Sequence, residues 1–177
     1  MEIDTQWIAD MVRDVPDFPK PGIVFKDITP VLQDHNAFKA VVHMVSLRYL
    51  GKGIDRVIGV ESRGFLFGGP IAFELAADFG IVRKAGKLPW NTISRSYDLE
   101  YGTATLEAHT DTVKKGERVL IVDDLLATGG TARATVELLR ELGAEVVGAA
   151  FLIELGFLPG RGVLEDLGVE VYAPLVY

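Results

Sequence analysis

The chain has 177 residues, 49% of them apolar, no cysteine and a formal net charge of −7. That length fits one domain with a sizeable core, and the lack of cysteine excludes disulfides and thiolate metal sites. An acidic balance with no basic stripe excludes a nucleic-acid surface, no apolar run approaches a membrane span, and the acidic opening Met1-Glu-Ile-Asp-Thr is unlike a secretory leader, so a cytoplasmic protein is expected.

Taken in chain order, Ile3, Trp7, Ile8, Met11 and Val12 recur at helical spacing and predict a short amphipathic helix. Prolines between Pro16 and Pro30 then impose an extended, irregular segment. Asn36 caps a helix carrying Phe38, Val41, Val42, Val45 and Tyr49 and closed by Gly51. Arg56 to Val60 is a strand, and Glu61 to Gly64 is its exit loop. Pro70 is expected to begin a helix ending near Gly80, with a short strand from Ile81 to Arg83 after it. Gly86 to Gly102 is a long polar excursion without a steady period, which reads as a lid.

Thr103 to His109 alternates as a strand, and Lys115-Gly116 turns the chain into a buried strand from Val119 to Val122. A helix from Thr131 to Leu142 stops at Gly143. Val146 to Leu155 is another buried strand, followed by a short helix over Val163–Leu167 and a last strand over Val169–Tyr172. Strands alternating with helices predict an α/β, doubly wound, mainly parallel sheet flanked by helices, in a single domain spanning 1–177.

The chemistry concentrates where the strand from Val119 ends in Asp123 and Asp124 and runs on through Ala127, Thr128, Gly129, Gly130 and Thr131. Ligands of open α/β sheets bind beyond the carboxyl ends of strands. Hydroxyls, close-approaching amides and the positive end of the next helix suit a phosphate there. The two carboxylates suit hydroxyl donors beside it, and a phosphate next to a vicinal diol is a ribose 5-phosphate. A plain strand–loop–helix connection would explain Gly129-Gly130, and Thr131 as a cap. It does not explain two adjacent acids that repel one another and stand too far from the helix to cap it. There is no Gly-Lys-Ser/Thr for a nucleoside triphosphate and no Gly-x-Gly-x-x-Gly for a dinucleotide.

Glu61-Ser62-Arg63-Gly closes a second strand, and Arg63 with neighbouring amides can hold a pyrophosphate. Arg83, Lys84 and Lys87 are the other local cations. Phe25 either stacks on a base or packs in the core. His35, His43 and His109 lack metal-ligand spacing and are given no role.

The run from Val119 to Thr131 resembles the 5-phosphoribosyl-1-pyrophosphate motif of the type I phosphoribosyltransferases. Phe18 to Leu32, Glu61 to Gly68, Arg83 to Pro89 and Tyr97 to Gly102 resemble, in order, segments of the adenine phosphoribosyltransferases within that family. The resemblance implies an N-terminal base-binding hood over 1–35 and a flexible lid loop over 86–102. It implies purine salvage by transfer of the 5-phosphoribosyl group to N9 of adenine, giving AMP and pyrophosphate. Asp123, Asp124, Ala127, Thr128, Gly129, Gly130 and Thr131 then hold ribose 5-phosphate. Glu61, Ser62, Arg63, Arg83, Lys84 and Lys87 serve the pyrophosphate, and the Glu61–Ser62 peptide is expected to be cis.

By the same resemblance, Val24, Phe25, Lys26 and Tyr101 serve adenine and the lid, and Glu100 is the catalytic acid–base. Magnesium (Mg2+) is carried by the substrate with no direct protein ligand, and the partner is a second copy in a homodimer. Ala85 and Trp90-Asn91 depart from the pattern, in the lid region only. The alternatives are a transferase for xanthine or another 6-oxopurine, and a sensor that binds the same sugar without turnover. The adenine-like segments weigh against the first. The charge, with no room for a DNA-binding domain, weighs against a DNA-bound version of the second.

Overall fold

The computed structural model describes residues 5–98 and 103–177, so Ile3, Glu100 and Tyr101 lie outside the described residues. The chain divides into two compact units, Met1–Met44 and Val45–Tyr177. The boundary falls inside a helix.

In the first unit, a short helix α1 (Gln6–Ala9) leads into strand β1 (Arg13–Pro16), which pairs antiparallel with β2 (Val24–Asp27). The segment expected to be irregular is therefore a hairpin. Pro16 ends its strand, where a missing N–H costs no internal ladder bond. Ion pairs cross the hairpin from Arg13 to Asp27 at 3.3 Å and from Lys26 to Asp14 at 2.6 Å. A short helix α2 (Thr29–Gln33) follows. Helix α3 (His35–Tyr49) begins one residue before Asn36, and its cap is Asp34, whose Oδ1 accepts the Ala37 N–H at 2.8 Å.

The second unit carries a mixed sheet. Its strands are β3 (Arg56–Val60), β4 (Asp78–Lys84), β5 (Thr92–Asp98), β6 (Thr103–His109), β7 (Arg118–Leu126), β8 (Glu145–Glu154), β9 (Glu170–Tyr172) and β10 (Leu175–Val176). The order is β10-β8-β7-β3-β4-β6-β5, with β9 also on β8. Pairing is parallel from β10 through β4 and antiparallel for β4–β6 and β5–β6. Val57, Ile58, Val119, Leu120 and Ile121 are fully buried, as expected of strands covered on both faces.

Helix α4 (Gly64–Leu75) links β3 to β4, α5 (Gly130–Glu141) links β7 to β8, and α6 (Gly160–Glu165) precedes β9. The first crossover steps along the sheet in one direction and the second in the other. Right-handed crossovers then put α4 and α5 on opposite faces, and the reversal point lies between β3 and β7.

Three expectations need correction here. Pro70 lies inside α4 rather than at its start. The buried stripe Gly64, Phe67, Gly68, Ile71, Ala72 keeps helical period straight through it, and packing of that stripe outweighs one lost backbone bond. The helix stops at Ala76, which takes a left-handed φ of 51° without a glycine to announce it, so β4 starts at Asp78 where helix was expected. Much of the stretch from 86 to 102 is not loop, because Thr92–Asp98 pairs residue for residue with Thr103–His109.

Candidate active site

The reversal between β3 and β7 places two strand ends side by side. Pairing between them runs from Arg56↔Val119 to Gly59↔Val122 and then stops. On its other side β7 continues, with Asp123↔Phe151, Leu125↔Ile153 and Leu126↔Glu154. The acids are thus not beyond the strand, as the sequence reading had them. They lie within it, past the end of the β3 ladder only, held in place from the β8 side.

Gly64 lets the two ends meet. A Cβ there would stand 2.5 Å from the Val122 carbonyl oxygen and 3.1 Å from the Asp123 Cα. Only glycine allows backbone this close. The Glu61–Ser62 peptide is cis, as expected.

A cavity of about 510 Å³ opens at this point, lined by Glu61, Ser62, Arg63, Lys84, Tyr97, Ala104, Leu106, every residue from Asp123 to Ala132, and Phe151. The structure therefore brings together Glu61, Ser62, Arg63 and Lys84 with Asp123, Asp124 and Ala127 to Thr131. Arg83 and Lys87 stand one step back, against Glu61. Val24, Phe25 and Lys26 belong to the N-terminal unit. There Phe25 meets the Phe18 ring edge-on at 5.2 Å and is half-buried, so it is not a fully enclosed core residue.

Asp124 is buried, and Arg63 Nε lies 2.9 Å from its Oδ2. The two form an ion pair, with no further hydrogen-bond donor to Oδ2 among the described residues. Asp123 accepts the Asp124 N–H at 2.9 Å. Burial, and then the neighbouring Asp124 carboxylate, hold the Asp123 carboxyl well above the ordinary aspartate range. Two adjacent carboxylates on the cavity wall form a site suited to hydroxyl donors.

Glu61 gathers cations instead of meeting an anion. Arg83 Nε lies 3.1 Å from its Oε2, Lys87 Nζ 3.0 Å from its Oε1, and the Lys84 N–H 3.0 Å from its Oε2. Burial pushes the Glu61 carboxyl up, but Lys87, the Lys84 amide and Arg83 together overcome this and hold it at about 2. Because the folded value lies below the ordinary 4.5, the pairing stabilises the fold fully above that pH and ceases to do so as pH falls toward 2. Glu61→Gln should therefore be less stable than wild type at pH 7, with the gap closing in acid. Urea titrations at several pH values check this, and a gap independent of pH would remove the ion-pair contribution.

Tyr97 was missed. Its hydroxyl accepts a hydrogen bond from Thr131 Oγ1 at 3.0 Å. The available signal was the alternation Ile93, Arg95, Tyr97, which marks one face of a strand and was hidden by the polar residues between them.

A family model described as phosphoribosyl transferase domain matches residues 28–162. The chain is 52% identical over 168 residues to the adenine phosphoribosyltransferase of Yersinia enterocolitica, covering 95% of this chain and 90% of that one. The crystal structure of adenine phosphoribosyltransferase from Thermoanaerobacter pseudethanolicus is similar at a TM-score of 0.93 and 49% identity, covering 97% of this chain and 99% of that one. The Saccharomyces cerevisiae enzyme, solved with adenine and an imino-altritol bisphosphate, is similar at a TM-score of 0.91 and 36% identity, covering 97% and 98%.

Proposed function

The chain belongs to the adenine phosphoribosyltransferase family, whose reaction moves the 5-phosphoribosyl group from 5-phosphoribosyl-1-pyrophosphate to adenine, and we propose that the cavity between β3 and β7 is where this chain performs it. The observation that carries the assignment is the pairing of Asp123–Asp124 with the Thr128–Thr131 segment on one cavity wall. Asp123 and Asp124 accept hydrogen bonds from the ribose 2- and 3-hydroxyls, and their place on the cavity wall supports that role. Ala127 to Thr131, at the start of α5, hold the 5-phosphate.

Ser62 and Arg63 receive the pyrophosphate from the β3 side, with Lys84 beside them. Glu61 keeps Arg83 and Lys87 close to that end, so their role is to supply positive field. N9 of adenine attacks ribose C1 as the C1–O bond to pyrophosphate breaks. AMP carries the new C–N bond, pyrophosphate leaves with the bonding pair, and the imidazole N–H proton of adenine passes to a base, the role proposed for Glu100. Among the described residues no cluster of three or more acidic or histidine side chains could hold a metal. Mg2+ would be carried to the site by the pyrophosphate beside Ser62 and Arg63, and when bound would supply positive charge to the leaving group. The family resemblance assigns Val24, Phe25 and Lys26 to adenine, with Phe25 as the stacking ring.

The test is direct. Purified protein, the pyrophosphate sugar and Mg2+ should convert adenine to AMP, and hypoxanthine, guanine and xanthine should be poor acceptors. No product from any base would leave only a binding role. Phe25→Ala should raise the adenine KM while sparing affinity for the sugar. Equal losses for both substrates would make Phe25 a packing residue.

A homodimer is part of the reading. Leu66 and Phe73, one heptad apart on α4, are 45% and 87% exposed, more apolar surface than an isolated helix face usually leaves in water. Sedimentation should find wild type dimeric and Phe73→Glu shifted toward monomer, and an unshifted variant would move the interface elsewhere. No helix among the described residues is long and apolar enough to cross a membrane. A cytoplasmic location completes the reading, and fractionation of the native cell checks it.

A further inference from the structure

The phosphate-loop wall has a back as well as a front, and Gly160 lies against the back. Its N–H donates to the Ala127 carbonyl at 3.1 Å. A Cβ on Gly160 would stand 2.3 Å from that oxygen and 2.9 Å from the Leu126 side chain. Gly129 meets it at a φ of +85°, and a Cβ there would fall 3.0 Å from the Gly160 Cα. Two stretches of backbone touch with no side chain between them, a contact only glycine permits.

The next residue fixes this contact in space. Arg161 Nε donates to Glu154 Oε1 at 2.9 Å, a second guanidinium nitrogen donates to Glu154 Oε2, and the third donates to the Val171 carbonyl at 3.2 Å. Glu154 is buried at the end of β8, opposite Leu126 of β7. A planar fork on a buried carboxylate defines orientation as well as distance.

The Ala127–Thr128 peptide is not among the cis bonds. In a trans peptide the C=O and N–H point in opposite directions. With the Ala127 carbonyl held toward Gly160, the Thr128 N–H is turned the other way, away from Gly160, and Thr128 is among the residues that line the cavity. We infer that Gly160, steadied by the Glu154–Arg161 pair, is a positioning residue that aims the Thr128 amide at the 5-phosphate. The inference rests on reading this loop as the phosphate cradle. Gly160 itself touches no substrate atom.

The experiment compares AMP with adenosine, which lacks only the phosphate, by calorimetry. Gly160→Ala must push the Ala127 carbonyl away, so AMP binding should weaken by about tenfold or more, the size of one lost charge-assisted hydrogen bond. Adenosine binding should stay within about twofold, since the base and ribose contacts remain. Circular dichroism melts show whether the variant folds. Should it not fold, Arg161→Lys, which keeps charge but loses the fork, should lower the AMP-to-adenosine preference in the same direction. In wild type, the Thr128 amide proton should move downfield in an NMR titration with AMP. Equal losses for both ligands, an unchanged preference in both variants, or a silent Thr128 amide would overturn the inference. A wild type that binds AMP no better than adenosine would overturn the phosphate reading itself, and the inference with it.

Discussion

Glu100→Gln should lower kcat by about 10²–10⁴-fold, the range for lost general acid–base help, while raising either KM much less. Departure of pyrophosphate leaves positive charge at ribose C1, and N9 attack then requires a proton on the purine's imidazole edge to be managed. A carboxylate beside that edge stabilises charge that exists only as the C–N bond forms, so its loss falls on the chemical step. This role is proposed for Glu100 from family membership and from its sequence setting, one acid between Leu99 and Tyr101. Single-turnover kinetics separate chemistry from product release. An unchanged chemical rate in Glu100→Gln would reduce Glu100 to a solvated acid. Hydrogen exchange over residues 86–102 tests the accompanying lid. Protection should rise with both substrates bound, and equal protection with and without them would remove it.

Asp124→Asn should weaken binding of both the pyrophosphate sugar and AMP by about 10- to 100-fold, because hydrogen bonds to a charged group contribute about 1.5–3 kcal/mol. The buried Oδ2, 2.9 Å from Arg63 and without a further hydrogen-bond donor among the described residues, is the atom whose charge is removed. Calorimetry measures it, and unchanged affinity for both ligands would take the acidic pair out of the ribose site.

The pH dependence supplies a second reading. Asp123 is held above the ordinary aspartate range by burial and by Asp124, so acid protonates it before other aspartates and wild-type affinity should fall there. Without the Asp124 charge, that fall should move to lower pH. Asp123→Asn removes a carboxyl whose ionisation the fold resists. It should stabilise the free protein by about 0.5–2 kcal/mol at neutral pH while losing ligand affinity, the usual exchange at a binding site. Denaturant titrations check the sign.

The buried strands β3, β7 and β8 were legible in the sequence because short continuous apolar runs bounded by charged residues and turn signals fit a strand covered on both faces. The segment proposed to hold ribose 5-phosphate stands out in the sequence for a related reason. Adjacent acids beside a Thr/Gly turn have no structural role to hide behind, so composition and order alone carried the chemistry. Boundaries were less visible. Pro70 and Ala76 each broke a local rule, because packing of the Phe67–Ile71 stripe outweighed a missing N–H and because an alanine took the left-handed stop. The β1–β2 hairpin and strand β5 were hidden because their strand character comes from pairing rather than from local period.

Tertiary structure alone decided how the charges are shared. Sequence named Glu61, Arg83, Lys84 and Lys87 as neighbours in function, and only the fold turned Glu61 into the acceptor that gathers the cations. It also decided that Asp123 and Asp124 are held by β8 after β3 has let go, that Tyr97 reaches Thr131, and that Gly160 backs the loop. These contacts join residues between about 20 and 65 positions apart, and distance along a chain carries no direction in space until the strands have paired.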